Sequence, residues 1–294
     1  MIQFANDSLK QQVWDMWKTV FGDTDDYMKI YFRDKYSNEN TLLYMIDEKA
    51  VASLQMLNYN ISFYGEEVPI IYLSGLVTLP EHRGQGYMKQ LIYRCFEVAA
   101  KREIPLLILV PQENWLFDFY DKYGFAKTFD SGANDLPSLK TMIDNHKGDL
   151  QSAYKEFNSL FRNQDMTVQK TFDDFKTLME VEALFDFPTK RNLNGMTRII
   201  DADKLLNIFA SKHPQYSIDL DVNDELITYN NTVHTVNNGE SHNIKETSTD
   251  PLVTYRVDIR ELSQLLFGYH TSKKEDPFNT MFVENTPQMH FMLE

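Results

Sequence analysis

Cysteine is almost missing from this 294-residue chain: Cys95 is the only one, so no intramolecular disulfide can form. That absence agrees with a reducing compartment. Long apolar runs are missing too. No stretch approaches the roughly 18 apolar residues a membrane-spanning helix needs, and residues 1–10 lack a basic segment followed by an apolar one. The expectation is a soluble cytoplasmic protein with no membrane span. Positive charge is scarce, with a formal net charge of -14. Such a chain repels nucleic acid phosphates and anionic head groups, which argues against both as partners. The histidines show no ligand spacing with cysteines or carboxylates, so no metal is expected. Internal repeats and low-complexity tracts are also missing.

Apolar residues make up 43% of the chain, with 20 Phe and 16 Tyr, enough for a substantial core. Leu9, Val13, Met16, Trp17 and Val20 share one helical face ahead of Gly22, and a second helix is expected over 25–35. Segments 41–46 and 51–57 read as a hairpin and 70–79 as another strand. Residues 84–103 return to helical spacing, with Met88, Leu91, Ile92, Cys95, Phe96 and Ala99 on one stripe. The apolar run 105–110 reads as a strand covered on both faces, followed by a helix over 114–122 and a strand over 125–129. The order ααβββαβαβ describes an α/β fold, a mixed sheet flanked by helices. Helices are then expected at 149–161 and 171–184. From Gly195 a separate pattern reads as strand 196–200, helix 201–211 and strands near 216–222, 225–229 and 232–236. A polar, mobile loop is expected over 240–250, an Asp258/Glu261-capped helix over 259–267 and a last strand over 288–293.

The segment Val77-Thr78-Leu79-Pro80-Glu81-His82-Arg83-Gly84-Gln85-Gly86-Tyr87-Met88 reads as strand, turn and helix start. Such a turn leaves several main-chain N–H groups unpaired in one concavity, and the helix N-terminus adds positive potential. The two glycines would allow close approach of an anion, and Arg83 a charged contact.

This pattern, followed by Phe119-Tyr120-Asp121-Lys122-Tyr123-Gly124-Phe125, resembles the GNAT acetyltransferases, whose phosphate loop reads Arg/Gln-x-x-Gly-x-Gly/Ala. Arg83, Gly86 and Met88 take the three defined positions. Met88 departs from the small consensus residue and is similar to the enhanced-intracellular-survival (Eis-like) branch. The resemblance implies an acetyl-CoA co-substrate whose diphosphate is held by Arg83, Gly84, Gln85, Gly86, Tyr87 and Met88. It also implies that the pantetheine pairs as an extra strand with the main chain around Val77, Thr78 and Leu79, and that Asn114 contacts the cofactor arm. Tyr120 matches the family's general acid. No acidic residue lies within 70–77 to act as base, and by analogy with Eis-like relatives the Glu294 α-carboxylate is the candidate. The residues alone leave a frayed end equally open.

Met196-Thr197-Arg198-Ile199-Ile200-Asp201 and the stretch from Asp258-Ile259-Arg260-Glu261-Leu262 to Gly268 resemble the sterol-carrier-like domain that ends Eis-like proteins. The expected organisation is a GNAT acyl-CoA-binding domain over 1–135, a helical connector over 136–190 left from a second GNAT-like domain, and a smaller sterol-carrier-like α+β domain over 191–294. The activity implied is transfer of acetyl from acetyl-CoA to a primary amine, on a small molecule or a peptide. A homo-oligomer is compatible, since Eis-like relatives assemble. A non-catalytic acyl-CoA- or lipid-binding module is the alternative.

Overall fold

The computed structural model describes residues 1–244 and 254–293. The chain opens with β1 (Ile2–Phe4), α1 (Lys10–Phe21), α2 (Asp25–Asp34) and β2 (Thr41–Ile46). A long hairpin, β3 (Lys49–Phe63) and β4 (Glu66–Thr78), leads into α3 (Tyr87–Lys101), β5 (Leu106–Leu109), α4 (Asn114–Asp121) and β6 (Ala126–Phe129). Then come α5 (Leu139–Asn145), α6 (Leu150–Phe161), β7 (Thr167–Gln169), α7 (Phe172–Leu184) and β8 (Gly195–Ile199). The last part holds α8 (Ala202–Lys212), β9 (Ile218–Asn223), β10 (Thr232–Asn237), β11 (Glu240–Ile244), β12 (Thr254–Asp258), α9 (Ile259–Leu266) and α10 (Phe278–Met281).

Among the described residues, eight strands form one mixed sheet in the order β1-β2-β3-β4-β5-β8-β6, with β7 also on β3. β11-β10-β9-β12 form a second sheet. Helices cover both faces of the first. On one face, Leu91, Ile92, Cys95 and Phe96 of α3 pack on Leu54, Met56, Ile71 and Leu107. On the other, Val13 and Trp17 of α1 and Tyr31 of α2 join Leu57, Ile70 and Tyr72. β5 is buried throughout, as its unbroken apolar run implies. Burial pushes the Cys95 thiol up to about 12, which makes it a core residue and a poor nucleophile.

Gly22 ends α1 in the left-handed region at φ 71°, and Asp258 caps α9 by accepting the Glu261 N–H at 2.8 Å. Several sequence expectations need correction. β8, the strand expected to open the C-terminal unit, instead pairs antiparallel with both β5 and β6 as an interior strand of the first sheet. Residues 225–229 are not a strand. The Asp224 carboxylate accepts the N–H groups of Leu226 and Ile227 at 3.1 and 3.0 Å, and the chain turns into a short 3-10 helix over Thr228–Asn230. Residues 288–293 form only an isolated bridge, Gln288 with Thr167, although Met289 to Leu293 are buried. The expected loop over 240–250 contains β11, and the rest of it, 245–250, lies outside the described residues.

Candidate active site

The turn after β4 is built by main-chain bonding. The Leu79 N–H donates to Val51 O at 3.0 Å, the His82 N–H to Leu79 O at 2.9 Å and the Arg83 N–H to Pro80 O at 3.3 Å. The chain then passes through Gly84 and Gly86, both at φ 75°, and α3 begins. The first helical bond is Gln90 N–H to Gly86 O at 3.2 Å. The main-chain N–H groups of residues 84–89 therefore have no acceptor among the described residues. They form an exposed concavity at a helix N-terminus, the arrangement that binds phosphate. A Cβ on either glycine would meet nothing within 4 Å, so positive φ, not clearance within the protein, calls for glycine here.

Side chains brace the loop. Arg83 Nε donates to Thr78 O at 3.2 Å and its guanidinium is exposed. Tyr87 stacks on Tyr44 with centroids 4.2 Å apart, and its hydroxyl donates to Gln85 Oε1 at 2.6 Å. Met88 packs against the α3 core, so its bulk lies on the protein side.

Beside the loop the sheet opens. β4 and β5 pair only over Ile70–Leu106, Ile71–Leu107 and Tyr72–Ile108, while β4 continues to Thr78. A bulge at Gly75, φ 57°, shifts the register with β3 from Ser53–Val77 to Gln55–Ser74. The wedge between the splayed strands is a cavity of about 210 Å³ whose lining includes Trp17, Asp23, Gly75, Leu76, Gln112 and Tyr120. Leu79 bonds β3, and the antiparallel ladder alternates, so Val77 bonds β3 as well. Leu76 and Thr78 turn their main-chain groups to the open side. This corrects the expectation that Val77 and Leu79 would pair with an inserted chain.

Tyr120 sits in the last turn of α4, 6% exposed, on this cavity. Loss of solvent pushes its phenol above the usual tyrosine range. It therefore holds its proton at neutral pH and can donate it. Asp23, which sequence reading missed, lies at the same cavity, its Oδ2 accepting Trp17 Nε1–H at 2.7 Å. Its position just past the Gly22 cap was the one available signal. Asn114 is not brought to the cavity. It is exposed at the start of α4 and lines a separate cleft of about 630 Å³ with Asp118, Asp121, Arg260 and Glu261. Glu294 lies outside the described residues, while Phe291, Met292 and Leu293 line a pocket that shares Asp23 with the Tyr120 cavity.

Among the described residues, no group of three or more His, Cys, Asp or Glu is arranged for a metal, and no helix is long and apolar enough to cross a membrane. Residues 1–128 match the acetyltransferase (GNAT) domain, and residues 204–275 match the sterol carrier protein domain. The first 128 residues are a GNAT domain. A GCN5-related N-acetyltransferase from Anabaena variabilis superposes with TM-score 0.68 at 15% identity, covering 98% of each chain. Eis1 from Mycobacterium abscessus superposes with TM-score 0.64 at 11% identity, covering 99% of each. At these identities the likeness is one of fold. UPF0521 protein B of Dictyostelium discoideum is 33% identical over 89 residues, which span 30% of this chain and 91% of that protein. The loop at 84–89 and the wedge beside Gly75 both lie inside the matched GNAT domain.

Proposed function

We propose that this acetyltransferase-fold protein moves an acetyl group from acetyl-CoA to a primary amine by direct attack, with Tyr120 as general acid. The carrying observation is that β4 runs from the wall of the Tyr120 cavity, at Gly75 and Leu76, directly into the loop whose N–H groups at 84–89 are unpaired. In this reading the diphosphate sits in the loop, held by Arg83, Gly84, Gln85, Gly86, Tyr87 and Met88. The pantetheine lies along Leu76 and Thr78, and the thioester reaches the bulge. Tyr120 protonates the departing thiolate, a role worth roughly 10²–10⁴ in rate.

The acceptor must lose a proton. A lysine-like amine of pKa about 10.4 lies about 3.4 units above neutrality, so the free base costs roughly 4.6 kcal/mol. The Asp23 carboxylate at the cavity attracts the ammonium form and can take the proton through water. The net charge of -14 favours a cationic acceptor in the same sense, whether small molecule or peptide. We assign the acyl-CoA-binding unit to residues 1–135, the connector to 136–190 and the sterol-carrier-like unit to 191–294, the last lending β8 to the first sheet.

The test is thiol release from acetyl-CoA across a panel of amines. Tyr120→Phe should cut kcat by about 10²–10⁴ while CoA affinity is kept. Asp23→Asn should raise KM for amines at pH 7. No thiol release with any amine, or full activity in Tyr120→Phe, rejects the proposal.

A further inference from the structure

At the far end of the β3–β4 hairpin the edge of β3 is interrupted. β2 pairs along it up to Gln55, and β7 pairs along the same edge from Asn60. β4 occupies the other edge throughout. Residues 56–59 thus have no strand beside them there among the described residues, and the gap opens into a cleft of about 730 Å³. That volume suits a small molecule.

The residue after β7 is Lys170, 5% exposed and lining this cleft. An ammonium has three donors. That of Lys170 makes one long bond, to Val168 O at 3.4 Å, and stands 5.3 Å from the Tyr59 ring centre. The carboxylate that acts on it, Asp174, is already engaged by Lys35 and by the Thr171 N–H and hydroxyl at 2.7 Å each. Glu67 is engaged by Arg162 and Asn60. Arg102, also on the cleft, donates to Asn40 Oδ1 and Glu39 O, both at 2.7 Å, and has no carboxylate partner among the described residues. Thr171 caps α7, so a helix N-terminus opens on the same space.

We propose that this cleft binds a small oxyanion, a phosphate or carboxylate group carried by a small molecule, with Lys170 at its floor and Arg102 and Arg162 at its rim. The occupant supplies the counter-charge that the fold withholds from Lys170. Burial in the free protein pushes the Lys170 amine down to about 7, so that near neutrality it is part deprotonated. The groups facing it are Lys35, Tyr59, Asp174 and the buried His290 ring. An anion restores the ammonium, and binding near pH 7 takes up part of a proton.

The test is calorimetry and thermal unfolding of the full chain with inorganic phosphate and, separately, succinate. At saturating probe the melting temperature should rise by on the order of 2–4 °C. Titrations in buffers of different ionisation enthalpy should show net proton uptake. The probe giving the larger shift identifies the carried group. Lys170→Met removes an unpaired buried charge and should fold well, and Arg102→Gln alters only the rim. Each should weaken binding at least tenfold, and Lys170→Met should abolish proton uptake. No shift with either probe overturns the proposal. So does equal binding in Lys170→Met, which would place the anion elsewhere, at the 84–89 loop.

Discussion

Replacing Asp224 with Asn tests how the C-terminal part is tied to the first sheet. Arg198 of β8 is 0% exposed, and its Nη2 donates to both oxygens of Asp224 at 2.7 and 2.8 Å. The same carboxylate accepts from the Leu226 and Ile227 N–H groups and from Asn230 Nδ2 at 2.9 Å. The guanidinium lies 5.2 Å over the Phe96 ring, and a Cβ at Gly124 would come within 2.9 Å of its Nε. It has no room to reach water. Removing one partner of a buried pair leaves an uncompensated charge, at about 3–5 kcal/mol. Asn keeps the shape of the side chain, so the loss would be electrostatic and not a cavity. At roughly 2–4 °C per kcal/mol, the melting temperature should fall on the order of 10 °C. Urea unfolding followed by far-UV circular dichroism measures the loss. The double replacement Arg198→Met with Asp224→Asn removes both charges, keeps an amide oxygen for the Leu226 and Ile227 N–H groups, and should recover most of it. A loss under about 1 kcal/mol in the single variant, or a double variant no better than the single, would refute this account of the pair.

Gly75→Ala should be costly for two reasons. Its φ of 57° is the left-handed region, and its Cβ would stand 2.6 Å from a Trp17 ring carbon and 2.9 Å from Gln55 Nε2. Strain of about 1–2 kcal/mol and overpacking of about 1–3 kcal/mol should lower stability by a few kcal/mol, read from the urea midpoint. An unchanged midpoint would show that the bulge is not rigid. Lys170 gives stability a pH signature. The unfolded lysine keeps its proton up to its usual 10.5, whereas the folded one loses it above about 7. Between those values the unfolded state binds more protons, so stability rises with pH. From pH 7 to 9 the wild type should gain about 2 kcal/mol more than Lys170→Met, and parallel pH profiles would contradict this. Gly86→Ala, with open space but φ 75°, should raise the KM for acetyl-CoA several-fold with kcat little changed, as steady-state assays would show.

The turn ahead of α3 and the place of Tyr120 near the end of α4 were legible in the sequence because each lies in a short contiguous segment whose local geometry the residues dictate. Arg83, Gly84 and Gly86 fix a turn by their own backbone preferences, and Tyr120 keeps its spacing to Gly124. What was not legible depends on distant partners. Asp23 shares a cavity with Tyr120 because α1 packs across β4. The Lys170 cleft exists because β2 and β7, two strands far apart along the chain, share one edge of β3. The facing of Val77 and Leu79 was misjudged because the ladder phase depends on the bulge, which no local pattern in 70–79 reveals. Residues 225–229 looked like a strand by composition, and the competing interaction was a carboxylate just upstream collecting their amides. β7 was missed because three residues carry no period.

β8 has a bearing on how the protein is made. The strand that completes the sheet beside β5 leaves the ribosome some sixty residues after β6, since residues 130–194 intervene. Until then β5 and β6 each present a bare edge to the cell, the kind that invites pairing with foreign strands. The nascent N-terminal half must therefore wait for its closing piece. Chain release after residue 135 would leave it permanently open, with aggregation as the expected fate.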